Sequence, residues 1–254
     1  MRKGNREAWL IKILLVLCIL LIIGTLGCIA YYGSGYVSER QVYDGIREQV
    51  KREAASETAA ASEADASDQD AAGVEASIDM EALRAINPDA VGWLTACGGE
   101  IDGPVVQAED DQYYLHHLFT GEEGRAGTFF ADTRSAPAFK TPCTAIFGHN
   151  RKDGSMFHPL LQYKDPEYGK RYPSFSIYTD EGEKECRLIA AFFAEYGSIP
   201  GIGDQDRDIA SLEQRAKQLS LYDTGATGEW EGIVILCTCE YSGDNYRMVI
   251  YGAY

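Results

Sequence analysis

Residues 232–254 read GIVILCTCEYSGDNYRMVIYGAY, two apolar runs on either side of a polar segment. Runs rich in Val, Ile and Tyr around a segment with Gly and Asp are typical of a β-hairpin. A turn centred on Gly243 would place Cys239 opposite Arg247. A guanidinium beside a thiol favours the thiolate and can also stabilise an oxyanion. The pairing predicts a cysteine nucleophile; the competing interpretation is a strand-end cysteine beside a surface arginine.

Cys237 is a second candidate nucleophile, because strand alternation places it on the same face as Cys239. The chemistry of the two thiols does not separate them. The strand end, where a substrate can arrive, favours Cys239. A third interpretation is a Cys237–Cys239 redox pair that switches the site off. Residues 33–254 contain five cysteines, and an odd number leaves at least one free thiol unless chains pair with each other.

A thiol nucleophile generally uses an imidazole partner, and the chain has four histidines. His149 follows the apolar run 144–148 and is predicted at a strand end that opens into a polar loop. His116 and His117 are predicted at another strand end, and His158 in a loop or turn. Position favours His149 as the partner of the thiol, with a structural histidine as the alternative.

Outward from the hairpin, short runs rich in β-branched and aromatic residues alternate with Gly, Asp and Pro. They lie at 91–96, 103–108, 127–132, 144–149, 174–180, 185–196, 232–239 and 246–254. A short helix is predicted at 79–86, ending before Asn87-Pro88, and a longer one at 207–221 with apolar residues at helical spacing. Eight strands within this length predict a mainly β domain with a closed or nearly closed barrel.

Residues 13–32 contain no charged side chain, a length that matches the hydrocarbon core of a bilayer. Lys12 at one end and Tyr31-Tyr32 at the other are typical of membrane interfaces. Residues 1–32 carry a net charge of +3, so the positive-inside rule predicts a cytoplasmic tip at 1–12 and an extracellular remainder. We therefore expect a single transmembrane anchor at the cell membrane.

Two alternatives to an uncleaved anchor exist. Gly33-Ser34-Gly35 resembles a weak signal-peptide cleavage site, although the apolar core is longer than a signal peptide needs. Thr25-Leu26-Gly27-Cys28 resembles a lipoprotein box, but its first position is Thr instead of an apolar residue. The length of the apolar run favours the uncleaved anchor.

The formal net charge of −16 leaves −19 on residues 33–254. A chain this acidic lacks the surplus of Lys and Arg that phosphate binding needs, so nucleic acid is excluded as a partner. Residues 33–77 begin as a polar, partly amphipathic helix and continue as an Ala-, Ser-, Glu- and Asp-rich segment with almost no bulky apolar residue. Such a segment cannot offset its chain entropy by burial. We predict a helical and low-complexity acidic stalk at 33–77 and a folded domain at 78–254.

Two motifs carry a resemblance to a known family. Residues 145–160 read AIFGHNRKDGSMFHPL, and residues 236–247 combine LCTC with an arginine on the following run. They resemble the paired signatures of the sortases, membrane-anchored cysteine transpeptidases of Gram-positive bacteria. Class B is the most similar subgroup, supported by NPDAVGWL (87–94), IDGPVVQ (101–107), YYL (113–115) and GSMF (154–157). The resemblance implies a closed eight-stranded sortase barrel with an N-terminal helix and one helix between late strands, preceded by a transmembrane helix.

By this resemblance the catalytic residues are Cys239 as nucleophile, His149 as acid and base, and Arg247 as oxyanion ligand. Substrate-binding positions are Leu115, Asp111, Cys237 and Thr238. Cys237 stands where the family has Ser, and a thiol donates a weaker hydrogen bond than a hydroxyl. No metal or organic cofactor is implied.

The implied reaction cleaves a C-terminal sorting motif after Thr through a thioester and transfers the protein to an amine of a peptidoglycan precursor. The expected partners are surface proteins with a sorting signal, that precursor, and the membrane through residues 13–32. One alternative is a pilus polymerase that uses a pilin lysine as acceptor. Another is a catalytically silent, membrane-tethered binding module, which the presence of all three catalytic residues disfavours.

Overall fold

A computed structural model describes residues 3–61, 78–202, 207–239 and 246–254. The strands are β1 (Ala90–Ala96), β2 (Ile101–Val106), β3 (Phe129–Ala131), β4 (Cys143–Gly148), β5 (Ser174–Thr179), β6 (Gly182–Glu195), β7 (Ile233–Cys239) and β8 (Tyr246–Ala253). They close into one barrel in the order β1-β2-β3-β4-β7-β8-β6-β5. The closed eight-stranded barrel expected from the sequence is confirmed.

Two strand pairs, β2 with β3 and β4 with β7, are parallel, and the other neighbours are antiparallel. Alternate residues of β7 and β8 fill the barrel, among them Val234, Leu236 and Ile250. The intervening residues are buried outside the barrel, where the Tyr251 hydroxyl donates to the carbonyl of Pro200. Both faces of β7 are covered, which explains its nearly continuous apolar sequence.

The two helices predicted within residues 78–254 are confirmed. Helix α2 (Met80–Ile86) begins at the N-cap Asp79, whose carboxylate accepts two backbone N–H groups, and ends at Asn87. Helix α5 (Ile209–Leu219) lies between β6 and β7 and buries Leu212 and Ala216, which are four residues apart.

Helices α3 (Tyr113–His116) and α4 (Pro166–Arg171) were not predicted. The expectation of a strand end is wrong for His116, which ends α3, whereas His117 forms an isolated β-bridge with Glu123. Asp110 explains the helix, since its carboxylate accepts the backbone N–H groups of Gln112 and Tyr113. His158, predicted in a loop or turn, is the first residue of the 3-10 helix His158–Lys164.

Helix α1 (Lys3–Ala61) is divided between two compact units, residues 1–42 and residues 43–254. In the first unit, the large apolar side chains that the structure describes between Trp9 and Leu26 are exposed. In the second, Ile46 and Val50 are buried. The barrel unit thus includes part of the predicted stalk and begins at Tyr43, earlier than Ile78; residues 62–77 of the stalk lie outside the described residues.

The transmembrane anchor predicted at residues 13–32 is not confirmed. Within the described ranges, no helix combines the length and apolar character that crossing a membrane requires.

Candidate active site

Three neighbouring strands bring the predicted catalytic residues to one end of the barrel. In the parallel pair β4–β7, Gly148 lies beside Thr238, so His149 and Cys239 are the next residues along the two strands. In the antiparallel pair β7–β8, Cys239 lies opposite Arg247. The register that a turn centred on Gly243 predicts is therefore confirmed; residues 240–245 lie outside the described residues.

The His149 imidazole is oriented by a backbone carbonyl. Its Nε2 lies 2.7 Å from the carbonyl oxygen of Leu115, just before the end of α3. Because a carbonyl can only accept, Nε2 carries the hydrogen. The neutral ring then presents Nδ1 as its acceptor nitrogen. Leu115, predicted to line the substrate groove, thus also fixes the tautomer of His149 through its main chain.

The guanidinium of Arg247 lies over an aromatic ring. Its Cζ is 4.5 Å from the ring centroid of Tyr196, which in turn packs edge-to-face with Phe147 at 6.0 Å. Stacking of this kind holds the planar cation by cation–π attraction. The Arg247 Nε is buried and has no hydrogen-bond partner among the residues that the structure describes. An N–H donor held in this way suits an oxyanion or a substrate carbonyl.

Four cysteines of the barrel unit have buried side chains: Cys97, Cys143, Cys186 and Cys237. Desolvation raises the pKa of the Cys97 thiol to about 12 and also raises that of Cys186. A buried thiol with a raised pKa is a poor nucleophile. Cys239 ends β7 opposite Arg247; its side chain lies outside the described part of the structure.

Thr238 points into the barrel and is fully buried. Its hydroxyl donates to the carbonyl of Gly148 at 2.9 Å. This bond ties the end of β7 to the end of β4, immediately before the two predicted catalytic residues. Thr238 and Cys237 stay predicted substrate-binding positions; both side chains are buried, Thr238 inside the barrel and Cys237 on the opposite face of β7. Alternation along a strand covered on both faces is the reason.

Asp111 lies at the start of the segment that leads into α3. One carboxylate oxygen accepts the backbone N–H of Thr133 at 2.9 Å, and the other lies 3.3 Å from the Thr133 hydroxyl. These bonds fix the segment against the turn that follows β3. Asp111 therefore has a structural partner beside the role in substrate binding that the sequence predicted.

Comparison with known proteins decides the family. No family model matches the chain. The chain is 35% identical over 184 residues to Sortase B of Listeria monocytogenes, an alignment that covers 70% of this chain and 74% of the relative. The chain belongs to the sortase B family. It is therefore a sortase, a cysteine transpeptidase, which argues against the catalytically silent module.

Solved sortase B structures share the fold. The structure of sortase B from Listeria monocytogenes aligns with a TM-score of 0.59 at 35% identity, covering 68% of this chain and 98% of that one. A Staphylococcus aureus sortase B–substrate complex aligns with a TM-score of 0.71 at 21% identity, covering 87% and 97%. The second match supports the barrel fold alone, because its identity is low.

Two residues of the site were missed in the sequence. Tyr196 follows β6, whose residue Ala194 pairs with Arg247. That long-range pairing places the ring under the guanidinium, and no local signal shows it. Gly127 has a positive φ of 59° and packs against the His149 ring. The sequence signal for it is a glycine that begins the predicted strand 127–132.

Proposed function

We propose that this sortase cleaves a C-terminal sorting motif after Thr and transfers the cleaved protein to an amine of a peptidoglycan precursor. The observation that supports this most directly is the strand register that brings His149, Cys239 and Arg247 to one end of the barrel. A nucleophile, an acid–base group and a fixed cation are the groups that acyl transfer needs.

In the acylation step, the Cys239 thiolate attacks the carbonyl carbon of the motif's Thr, and a C–S bond forms. The carbonyl oxygen becomes an oxyanion, stabilised by the guanidinium of Arg247. His149, which has taken the proton of the Cys239 thiol on Nδ1, gives that proton to the leaving amine nitrogen as the C–N bond breaks. The thioester and a free C-terminal fragment result. Because Nε2 is bound to the Leu115 carbonyl, Nδ1 is the nitrogen that transfers the proton.

In the second step, the acceptor amine attacks the thioester carbonyl. His149 removes a proton from the attacking nitrogen through Nδ1, and the C–S bond breaks as the amide forms. The Cys239 thiolate is regenerated. No electrons are gained or lost, so the cycle needs no redox partner. The partners are then surface proteins with a sorting signal and a peptidoglycan-precursor amine.

The test is acyl-enzyme trapping with a panel of sorting peptides, read by mass spectrometry. The wild-type chain should gain the mass of the peptide's N-terminal part and pass it to an added amine. Cys239→Ala should form no adduct, and Cys237→Ser, the matched control, should keep much of the activity. His149→Ala and Arg247→Ala should each lose most activity while remaining folded.

Two results would contradict the proposal. If Cys237→Ser formed no adduct and Cys239→Ala still formed it, Cys237 would be the nucleophile. Normal cleavage by both His149→Ala and Arg247→Ala would rule out the assigned mechanism.

A competition experiment that offers a peptidoglycan stem peptide together with a lysine-bearing pilin peptide identifies the acceptor. Preference for the pilin lysine would make the chain a pilus polymerase.

We also propose that residues 13–32 hold the chain at the cell membrane, with the N-terminus in the cytoplasm and the barrel outside. The support is the sequence alone: an uncharged run behind a positively charged tip. Protease treatment of intact cells should digest the barrel unit and spare an epitope placed at the N-terminus. Recovery of an intact chain in the soluble fraction would contradict this placement.

A further inference from the structure

A tyrosine on α1 binds a loop next to the candidate active site. The Tyr43 hydroxyl donates to the carbonyl of Gly127 and lies 3.1 Å from the hydroxyl oxygen of Thr128. Tyr43 and these two residues belong to the same compact unit. The side chain is half-buried, so its hydroxyl contributes a partly shielded hydrogen bond.

The loop that Tyr43 holds packs directly on the histidine. A Cβ atom at Gly127 would lie 2.9 Å from the Leu115 carbonyl oxygen and 3.2 Å from Cδ2 of His149. The space beside the Gly127 Cα is therefore bounded by the imidazole and by the carbonyl to which that imidazole donates, and it has no room for a side chain. A shift of this loop would change the space around the His149 ring.

The same loop also fixes α3, which carries that carbonyl. The Thr128 backbone N–H donates to the carbonyl of Tyr114 at 2.9 Å, and the Thr128 hydroxyl donates to the carbonyl of His117 at 3.0 Å. These bonds lie on either side of Leu115 along the chain. The position of the Leu115 carbonyl is thus set by a loop that is held in turn by Tyr43.

We propose that Tyr43 is a positioning residue for His149. Its hydroxyl holds residues 127–128, which hold the Leu115 carbonyl against Nε2 and keep Nδ1 available for proton transfer. The inference rests on the proposed function, since it assumes that His149 is the acid–base group. By this inference, a residue of the predicted stalk helps to orient a catalytic side chain.

Other contacts of the same helix provide a matched control. Lys51 Nζ binds the Asp102 carboxylate at 3.0 Å, a contact to β2 that involves none of the residues around His149. Loss of this contact weakens the docking of α1 without removing the Tyr43 hydroxyl. Lys51→Met therefore separates a general loosening of the helix from a loss of positioning.

The experiment compares the full chain, Tyr43→Phe and Lys51→Met, each purified in detergent. Nitrogen-15 NMR with labelled histidine reads the Nε2 proton of His149, assigned with His149→Gln. Kinetics with a sorting peptide give kcat and KM. Tyr43→Phe should speed exchange of the Nε2 proton and lower kcat about three- to tenfold with KM unchanged. Lys51→Met should keep the resonance and kcat.

An unchanged Nε2 resonance and an unchanged kcat in Tyr43→Phe would overturn the inference. Equal losses in Tyr43→Phe and Lys51→Met would also overturn it, because they would show a structural role alone. If the wild-type chain forms no acyl-enzyme, the proposed function fails instead. The NMR comparison needs no substrate and still decides whether Tyr43 positions the ring.

Discussion

At the scale of single residues, the orientation of Arg247 depends on Tyr196. The ring lies 4.5 Å from Cζ, and a partly desolvated cation–π contact contributes roughly 1 kcal/mol. Tyr196→Leu should therefore lower the acylation rate about fivefold, because the guanidinium loses its support. Tyr196→Phe keeps the ring and should stay close to wild type. Rapid-quench measurement of the thioester checks both; equal losses in the two variants would point to the hydroxyl instead of the ring.

The residue scale also shows which parts of the site can be read from sequence. Cys239 and Arg247 are eight residues apart in one hairpin, so a turn centred on Gly243 is enough to predict their pairing. Local sequence likewise places His149 at a strand end. The position of Tyr196 beside Arg247 could not be predicted in this way, because it depends on the pairing of β6 with β8. Burial of Thr238 also requires knowing that both faces of β7 are covered.

At the scale of elements, the loop before β3 has little space for a larger side chain beside the site. Gly127 and Gly154 both have positive φ, 59° and 84°, but only Gly127 is crowded. Alanine at Gly127 would place Cβ 2.6 Å from the carbonyl oxygen of Tyr114, whereas Gly154 has open space. Gly154→Ala should cost about 1 kcal/mol of unfolding free energy for its backbone strain alone. Gly127→Ala should cost more and should also lower activity.

Chemical denaturation and acyl-enzyme formation, measured on both glycine variants, separate the two effects. If both glycine variants lost the same stability and Gly127→Ala kept full activity, the loop would be shown to adapt without moving His149.

The short helix α3 beside this loop could not be predicted from periodicity, because four residues are too few to show a helical repeat. Its cause is local, the two backbone N–H groups that Asp110 accepts.

At the scale of the whole molecule, one aspartate joins α1 to the barrel. Asp102 on β2 accepts hydrogen bonds from Trp93 Nε1 at 2.7 Å and from the hydroxyl of Thr95 at 3.1 Å. Its other carboxylate oxygen binds Arg47 at 2.7 Å and Lys51 at 3.0 Å. The start of the predicted stalk was expected to be a polar, partly amphipathic helix. Ile46 and Val50, spaced by one helical turn, form its buried side.

The charge state of Asp102 should therefore link pH to the stability of the whole unit. Burial alone would raise its pKa, but the Trp93 hydrogen bond and the Lys51 and Arg47 charges outweigh burial and hold it below 3.8. A lowered folded-state pKa stabilises the fold above the unfolded-state value, and this contribution is lost as pH falls through the folded-state pKa. Asp102→Asn should cost about 1–2 kcal/mol at pH 7, since its two cationic partners are partly exposed.

Urea unfolding of the wild type and Asp102→Asn at pH 7, 5 and 3 measures this linkage. The difference in unfolding free energy should persist at pH 5 and shrink at pH 3, because the carboxyl of the unfolded wild type binds a proton below about pH 3.9. Asp180→Asn is the matched control: it removes the same charge from an exposed pair with Arg84 and should change stability by less than about 0.5 kcal/mol. A pH-independent cost for Asp102→Asn would show that its hydrogen-bond geometry, and not its charge, holds α1 to the barrel.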